Sequence, residues 1–138
     1  MDEAVKKLEE IEARRAARKT ALEAQRREQL AQDLEALDQL EVEHGDHAVV
    51  RVDLQRYEPG LPTMVVMRLP KPIEFKRYQD QCKKDVTAAT NLIGDVCRLY
   101  PDEDTYKRMR STFTGVHVMA AVAAINAASA KEQQEGKE

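Results

Sequence analysis

Apolar residues recur every three or four positions at both ends of the first forty or so residues. The run from 2 to 42 contains no proline, glycine or aromatic residue, which predicts one continuous helix. Val5, Leu8 and Ile11 form the stripe near its start, and four leucines form the later stripe. At ~1.5 Å per residue the helix would be ~60 Å long, whereas the remaining residues would form a body with a radius of gyration of ~13 Å. The helix must therefore project from the body, fold back on itself or pair with another chain.

The middle of this helix offers little for packing, because only alanines and Leu22 are apolar between the two stripes. A coiled coil sustained over three or four heptads is therefore not expected. We predict that the later stripe docks on the body or on a neighbouring subunit, and that the N-terminal half is freer. The candidate partner-binding residues of this stripe are Leu30, Leu34, Leu37 and Leu40.

Beyond the helix the pattern changes to a period of two, in which Val50, Val52 and Leu54 alternate with polar residues. This alternation predicts a half-buried strand. A second β-prone run at 64–69 follows a Pro-Gly turn, so a two-stranded hairpin is expected. Because a lone hairpin is marginal in water, it must pack on the helices, pair its edge with another chain, or do both.

The remaining residues return to helical spacing. Pro72 begins a helix whose apolar stripe continues to Tyr100, with a break allowed near Asp85, and Pro101 ends it. A short helix and an alanine-rich helix at 116–130 follow. These segments are the most core-like part of the chain.

The predicted fold class is mainly α with a small β-hairpin. We expect a long N-terminal helix, a two-stranded hairpin and a C-terminal bundle of three to four helices. The expected units are a long charged arm at 1–44, a hairpin plus helical-bundle domain at 45–130, and a polar tail at 131–138. The composition agrees, because 34% of residues are charged and only 4% are aromatic, a balance typical of extended helices.

Charge divides the predicted long helix into three blocks. Residues 2–12 are mainly acidic, and residues 28–46 are acidic without any lysine or arginine. The block between them contains the cations Arg14, Arg15, Arg18, Lys19, Arg26 and Arg27. Such blocks suit an oppositely staggered copy of the same helix or a partner with the complementary pattern. They are equally consistent with a solvated helix stabilised by neighbouring ion pairs such as Glu10 with Arg14.

The same six cations are candidate nucleic-acid contacts, because one helical segment bearing them could follow a phosphate backbone. Two features oppose this function. No aromatic residue is interleaved for base stacking, and the acidic blocks on either side would repel a long polyanion. The net charge of -3 also shows no overall footprint of a polyanion binder. Nucleic-acid binding is therefore the second hypothesis, after protein contact.

The sequence contains no legible reaction chemistry. Cys82, Cys97 and His117 lack a local nucleophile signature, and the two cysteines are expected to be buried thiols in a reducing compartment. The glycines are scattered singly and form no phosphate-binding loop. His44 and His47 are explained by helix capping and a turn, and no third strong metal ligand accompanies them. We expect no enzymatic activity, cofactor, metal site or small-molecule substrate.

Two segments after the long helix carry a more specific pattern. They are Met67-Arg68-Leu69-Pro70-Lys71-Pro72-Ile73-Glu74-Phe75-Lys76-Arg77-Tyr78 and Val96-Cys97-Arg98-Leu99-Tyr100-Pro101-Asp102. The pattern resembles small tailed-phage morphogenesis proteins, including tail assembly chaperone-like families. In those families a hairpin ending in an arginine and proline step leads into a helix with a Glu-aromatic pair, and a later helix closes in an apolar-Tyr-Pro turn. The likeness covers about residues 50–102 and leaves out the long charged helix.

The resemblance implies a non-enzymatic bacteriophage protein that binds other phage structural proteins, or itself as an oligomer, during virion morphogenesis. Its location would be the host cytoplasm during assembly, or the virion. The chain shows neither a secretory signal nor an apolar run approaching ~18 residues, so no membrane contact is expected. We therefore expect a tail assembly chaperone-like protein that acts through its long helix and hairpin edge. The alternative is a helical nucleic-acid-associated adaptor that uses residues 14–27.

Overall fold

One uninterrupted helix, α1, spans Glu3–His44 of the computed structural model, which describes residues 2–136 and the side chains of residues 2–131. The Asp2 side chain caps its start by accepting a hydrogen bond from the Ala4 amide. Gly45 ends the helix with a φ of 94°, a conformation that glycine adopts without steric cost. The predicted long N-terminal helix is confirmed.

Three short strands form one antiparallel sheet in which the second strand is central. They are β1 (Val49–Asp53), β2 (Met64–Arg68) and β3 (Arg98–Tyr100). The first two strands form the predicted hairpin, with Val52 opposite Val65 in its register. Since β2 is central, β1 and β3 provide the two edges of the sheet.

The third strand corrects the prediction of a two-stranded hairpin. The apolar spacing predicts a helix through Tyr100, but the helix ends at Cys97 and the next three residues are extended. Pro101 disfavours helical geometry in the residue before it. The open edge of β2 then receives this extended segment, with Val66 opposite Tyr100. Three strands are more stable than an isolated hairpin.

Within residues 2–136, four further helices complete the fold. They are α2 (Pro72–Cys82), α3 (Val86–Cys97), α4 (Glu103–Thr112) and α5 (Val116–Gly136). Asp85 and Asp102 cap α3 and α4 by accepting hydrogen bonds from first-turn amides. A mainly α fold with a small β part is therefore confirmed. The helix α5 continues into the predicted tail at 131–138, most of whose side chains lie outside the described residues.

The sheet lies between two helical layers. On one face, Val65 and Met67 pack in the main core with buried residues of α3 and α5 such as Ala121. On the other face, Met64 packs against Leu37 of α1 in a separate cluster. The central strand is covered on both faces, which explains why its first four side chains are fully buried. The C-terminal part of α1 therefore contributes buried residues to the fold and covers one face of the sheet.

An ion pair connects the end of β2 to the first turn of α2. The Arg68 guanidinium donates two hydrogen bonds to the Glu74 carboxylate, at 2.7 and 2.9 Å. Glu74 also accepts a hydrogen bond of 2.7 Å from the Lys71 backbone N–H. The hydrogen bond from Arg68, more than any other contact, lowers the pKa of Glu74 to about 2. This paired geometry fixes the proline-containing step between the strand and the helix.

Replacing Glu74 by glutamine is expected to lower the free energy of unfolding by about 2 kcal/mol near neutral pH, since a charge-assisted pair is lost. The pKa is about 2 in the folded chain against an ordinary value of 4.5. The carboxylate therefore stabilises the fold fully above about pH 4.5 and loses this effect as the pH falls toward 2. Urea unfolding at about pH 7 and about pH 3 should show a gap between wild type and variant that narrows at the lower pH. The exposed Glu103→Gln is the control, and an equal gap at both pH values would contradict this role of Glu74.

Candidate interaction surface

The C-terminal part of α1 docks on the sheet of its own chain. Leu37 is 7% exposed and packs with Met64 and Val66 in an apolar cluster. The half-buried residues around this cluster are Leu30, Leu40, Val49 and Tyr100. We refer to residues 30–40 of α1 as the anchor segment, because its burial holds the helix on the body. Full burial of one leucine contributes about 1.5–3 kcal/mol.

The four predicted partner-binding leucines occupy different environments. Leu37 is buried, and Leu30 and Leu40 are half-buried against the sheet of the same chain. Leu34 is 39% exposed. At about 100° per residue it lies beside the stripe formed by the other three leucines. Among these four, Leu34 alone presents much apolar surface to another molecule.

A buried carboxylate, Asp33, completes the anchor segment and is 0% exposed. One of its oxygens accepts hydrogen bonds from the backbone N–H of Thr63 at 2.7 Å and from the hydroxyl of that residue at 2.6 Å. The other oxygen accepts from the Gln29 amide at 2.9 Å and from the Tyr100 hydroxyl. Because Thr63 immediately precedes β2 and Tyr100 ends β3, one side chain ties α1 to two strands.

Three of these four donors, the N–H and hydroxyl of Thr63 and the hydroxyl of Tyr100, lie outside α1 and make its position on the sheet specific. Burial, reinforced by the Asp33 carboxylate, raises the pKa of the Tyr100 hydroxyl, which therefore stays protonated and donates at neutral pH. A buried carboxylate without its hydrogen bonds is strongly destabilising. Any slip of α1 along the sheet would separate Asp33 from its donors in Thr63 and Tyr100. The apolar cluster thus supplies attraction, and the carboxylate selects the register.

The role of Asp33 was not predicted from the sequence, in which it is only one of the anions of the third charge block. The signal lies in the spacing, because 30, 33, 37 and 40 follow a strict three-four-three pattern. This pattern places Asp33, rather than Leu34, in line with the buried leucines. A polar residue within an apolar stripe indicates a buried hydrogen-bond partner elsewhere in the chain. The identity of that partner depends on the tertiary fold.

Residues 3–28 of α1 extend beyond the anchor segment, and we refer to them as the arm. Every side chain in the arm is exposed except that of Ile11, which is half-buried. Val5, Leu8 and Leu22 are 38%, 58% and 40% exposed. At ~1.5 Å per residue the arm is ~39 Å long. The tertiary contacts of α1 are mainly with the three strands, so the arm projects from the body.

The apolar residues of the arm continue the face that docks on the sheet. At about 100° per residue, Leu8, Leu22 and Leu37 fall within about 60° of one another around the helix axis. Leu37 is covered by β2, whereas Leu8 and Leu22 face solvent. One side of α1 is therefore apolar at several points but covered only at its C-terminal end.

The six candidate nucleic-acid contacts all lie on the arm and are exposed. They are Arg14, Arg15, Arg18, Lys19, Arg26 and Arg27, and within the described side chains none of them forms a salt bridge. At about 100° per residue, all but Arg27 fall within an arc of about 140°. Leu22 lies inside the same arc. The basic block is therefore a charged face that also carries an exposed leucine.

His117, which was considered as a possible catalytic residue, is buried and hydrogen-bonded within the protein. It is 6% exposed, its Nδ1 accepts a hydrogen bond from the Tyr106 hydroxyl at 2.6 Å, and its Nε2 donates to the Asn91 carbonyl at 3.1 Å. Burial, together with the charge of Arg110, lowers the pKa of His117, so the ring is neutral at pH 7. A Cβ added at Gly94 would lie 2.5 Å from the His117 ring. The imidazole therefore joins α3, α4 and α5 in close packing.

The cysteines and the remaining histidines form no recognisable site. Cys97 is buried, and burial raises its pKa to about 11, so it is a thiol at neutral pH. The expected burial is confirmed for Cys97, whereas Cys82 is half-buried. His44 and His47 are exposed at the end of α1. Among the described residues, no group of three or more His, Cys, Asp or Glu could hold a metal ion.

Comparison of the chain with models of protein families, with curated proteins and with solved structures finds no match. Within the residues that the structure describes, each helix taken by itself is too short or too polar to span a membrane. Only α4 and residues 116–131 of α5, taken as a pair bent by 114°, meet that test of length and composition.

Proposed function

We propose that this chain is a non-enzymatic structural or assembly protein of the tailed-phage morphogenesis type, acting through protein–protein contacts of α1. The observation that carries the proposal is the division of α1 into a docked anchor segment and an exposed arm ~39 Å long. A helix without tertiary contacts gains little stability from propensity alone. Exposed Leu8 and Leu22 on such a helix favour a protein partner that covers them.

The phage-type assignment rests on the resemblance over residues 50–102. The second resembling segment supports the anchored helix, because Tyr100 donates to Asp33. In the first segment, Arg68 and Glu74 form the ion pair between β2 and α2. A firm platform that presents a long helix suits a component that recognises other proteins during assembly. The proposed partners are phage structural proteins or a second copy, met in the host cytoplasm or in the virion.

The sheet edge is a weaker proposed contact than the arm. Edge strand β1 carries exposed Arg51 and Asp53, which form an ion pair of 2.7 Å with each other. Charged side chains on an edge strand oppose uncontrolled pairing with another chain. A partner strand at this edge would have to accommodate both charges. We therefore place the principal contact on the arm.

Co-expression with the products of neighbouring genes tests the proposed function. We expect a stable complex that Leu8→Glu disrupts, because the substitution places a charge on the exposed apolar face of the arm. Val42→Glu is the matched control, since Val42 is an 80% exposed apolar residue of the same helix outside the arm. Failure to bind either a neighbouring product or a second copy, or equal binding by Leu8→Glu, would contradict this function.

Nucleic-acid binding is the second candidate, favoured by the clustering of five cations on one exposed arc of the arm. It predicts binding to DNA or RNA that weakens steeply as salt concentration rises. A fourfold replacement of Arg14, Arg15, Arg26 and Arg27 by glutamine should abolish it. Electrophoretic mobility at low salt is the measurement, and an unshifted nucleic acid there would exclude this candidate.

A further inference from the structure

The arm carries two charge blocks of opposite sign. Residues 2–12 contain five anions and two cations, a net charge of -3, whereas residues 13–27 contain six cations and one anion, a net charge of +5. All of these side chains are exposed. Because the arm projects from the body, the two blocks are presented to other molecules rather than to the fold.

A second copy of the arm complements this pattern in one orientation only. Two arms side by side in parallel would place acidic block against acidic block and basic against basic. Two antiparallel arms would place the acidic block of each against the basic block of the other. Opposite charges along a helix pair select orientation and partner. The charge order therefore specifies an antiparallel copy.

The exposed apolar residues fit the same orientation. Leu8 and Leu22 are separated by fourteen residues in sequence, or about two heptads, and so lie on one face of α1. In an antiparallel pair centred near Arg15, Leu22 of each arm lies next to Leu8 and Ile11 of the other. Glu12 of one arm then lies close to Lys19 of the other. In this register the leucines meet and the acidic block of each arm lies against residues 18–27 of the other, whereas Arg14 and Arg15 of the two arms face each other at the centre.

We propose that two copies of this chain associate through their arms as a short antiparallel helix pair, with Leu8 and Leu22 in the seam and the charge blocks crossing. This inference rests on the proposed function, in which the arm is the contact element, and it names the partner as a second copy. The anchor segments of both copies stay docked on their own sheets. A two-fold axis passes near Arg15, and the two bodies lie at opposite ends of the pair.

A charge-exchange experiment tests the orientation and the partner together. One variant carries Glu9→Lys, Glu10→Lys and Glu12→Lys, which changes the acidic block from -3 to +3. The other carries Arg18→Glu, Lys19→Glu and Arg26→Glu, which changes the basic block from +5 to -1. Each variant alone faces like charges and should lose at least about tenfold in self-association. An equimolar mixture restores opposite charges in both halves and should form dimers as wild type does.

Sedimentation velocity over a range of protein concentrations measures the association, and circular dichroism verifies that the exposed substitutions leave the fold intact. Leu22→Gln should also weaken dimers, whereas the control Val42→Gln should not. A monomeric wild type, or two variants that dimerise separately as wild type does, would overturn the inference. If the chain is monomeric yet binds a neighbouring gene product through Leu8, the inference fails and the proposed function stands. If dimers form and no other product binds, the inference stands and the assembly function with other proteins fails.

Discussion

The variant Asp33→Asn is expected to lose about 3 kcal/mol in its free energy of unfolding, because the buried carboxylate accepts four hydrogen bonds, three of which join α1 to Thr63 and Tyr100. The asparagine side chain can accept hydrogen bonds through one oxygen only. Its NH2 group would face the N–H and O–H groups that donate to the second carboxylate oxygen of Asp33. Urea unfolding followed by circular dichroism measures the loss. Hydrogen exchange should show that the anchor segment loses most of its protection.

Two further variants make the result for Asp33 interpretable. Asp38→Asn removes an exposed carboxylate from the same helix and should change the free energy of unfolding by no more than about 0.5 kcal/mol. Tyr100→Phe removes one of the four donors and should cost about 1–3 kcal/mol, less than Asp33→Asn. Equal stability of Asp33→Asn and Asp38→Asn would contradict the described docking of α1.

The substitution Leu37→Gln should lower the free energy of unfolding by about 3 kcal/mol, since it leaves a cavity and buries an amide. The same substitution at Leu34 should cost no more than about 0.5 kcal/mol, because Leu34 is 39% exposed. The two residues belong to the same predicted stripe, so each is the natural control for the other. Thermal and urea unfolding of both variants measure the contrast.

The pair also separates folding from association. A loss of self-association in Leu37→Gln would follow from release of α1, whereas a loss in Leu34→Gln would identify Leu34 as a partner contact. Comparable destabilisation by the two substitutions would show that the anchor segment does not dock through Leu37. Only exposed positions such as Leu8, Leu22 and Leu34 are therefore suitable for tests of partner binding.

The long helix and its docking end are predictable because their signals are local. The absence of proline and glycine between 2 and 42 predicts an uninterrupted helix, and leucines at helical spacing indicate an apolar face near its end. The same spacing cannot distinguish docking on the body from docking on a neighbour, since both bury the same stripe. That distinction depends on the face of the sheet turned away from the main core, where Met64 and Val66 pack against Leu37.

The third strand and the role of Asp33 depend on long-range contacts. Strand β3 (Arg98–Tyr100) follows α3 directly and is only three residues long. It is therefore extended because it pairs with β2, and not because of an alternating apolar pattern in its own sequence. Asp33 and Tyr100 are 67 residues apart in sequence. Neither contact can be read from local spacing, and both were missed. The charge blocks of the arm, by contrast, are visible in the sequence. The structure adds that the arm projects from the body, so that both blocks are exposed to a partner.

The central claim is that α1 consists of an anchor segment held by its own chain and an arm free to pair with a second copy. Amide hydrogen exchange along α1 at two protein concentrations tests this claim most directly. We predict slow exchange of residues 30–40 at both concentrations, and exchange of residues 4–26 that slows as the concentration rises. Equally fast exchange of both segments at the lower concentration, with no change at the higher one, would contradict it.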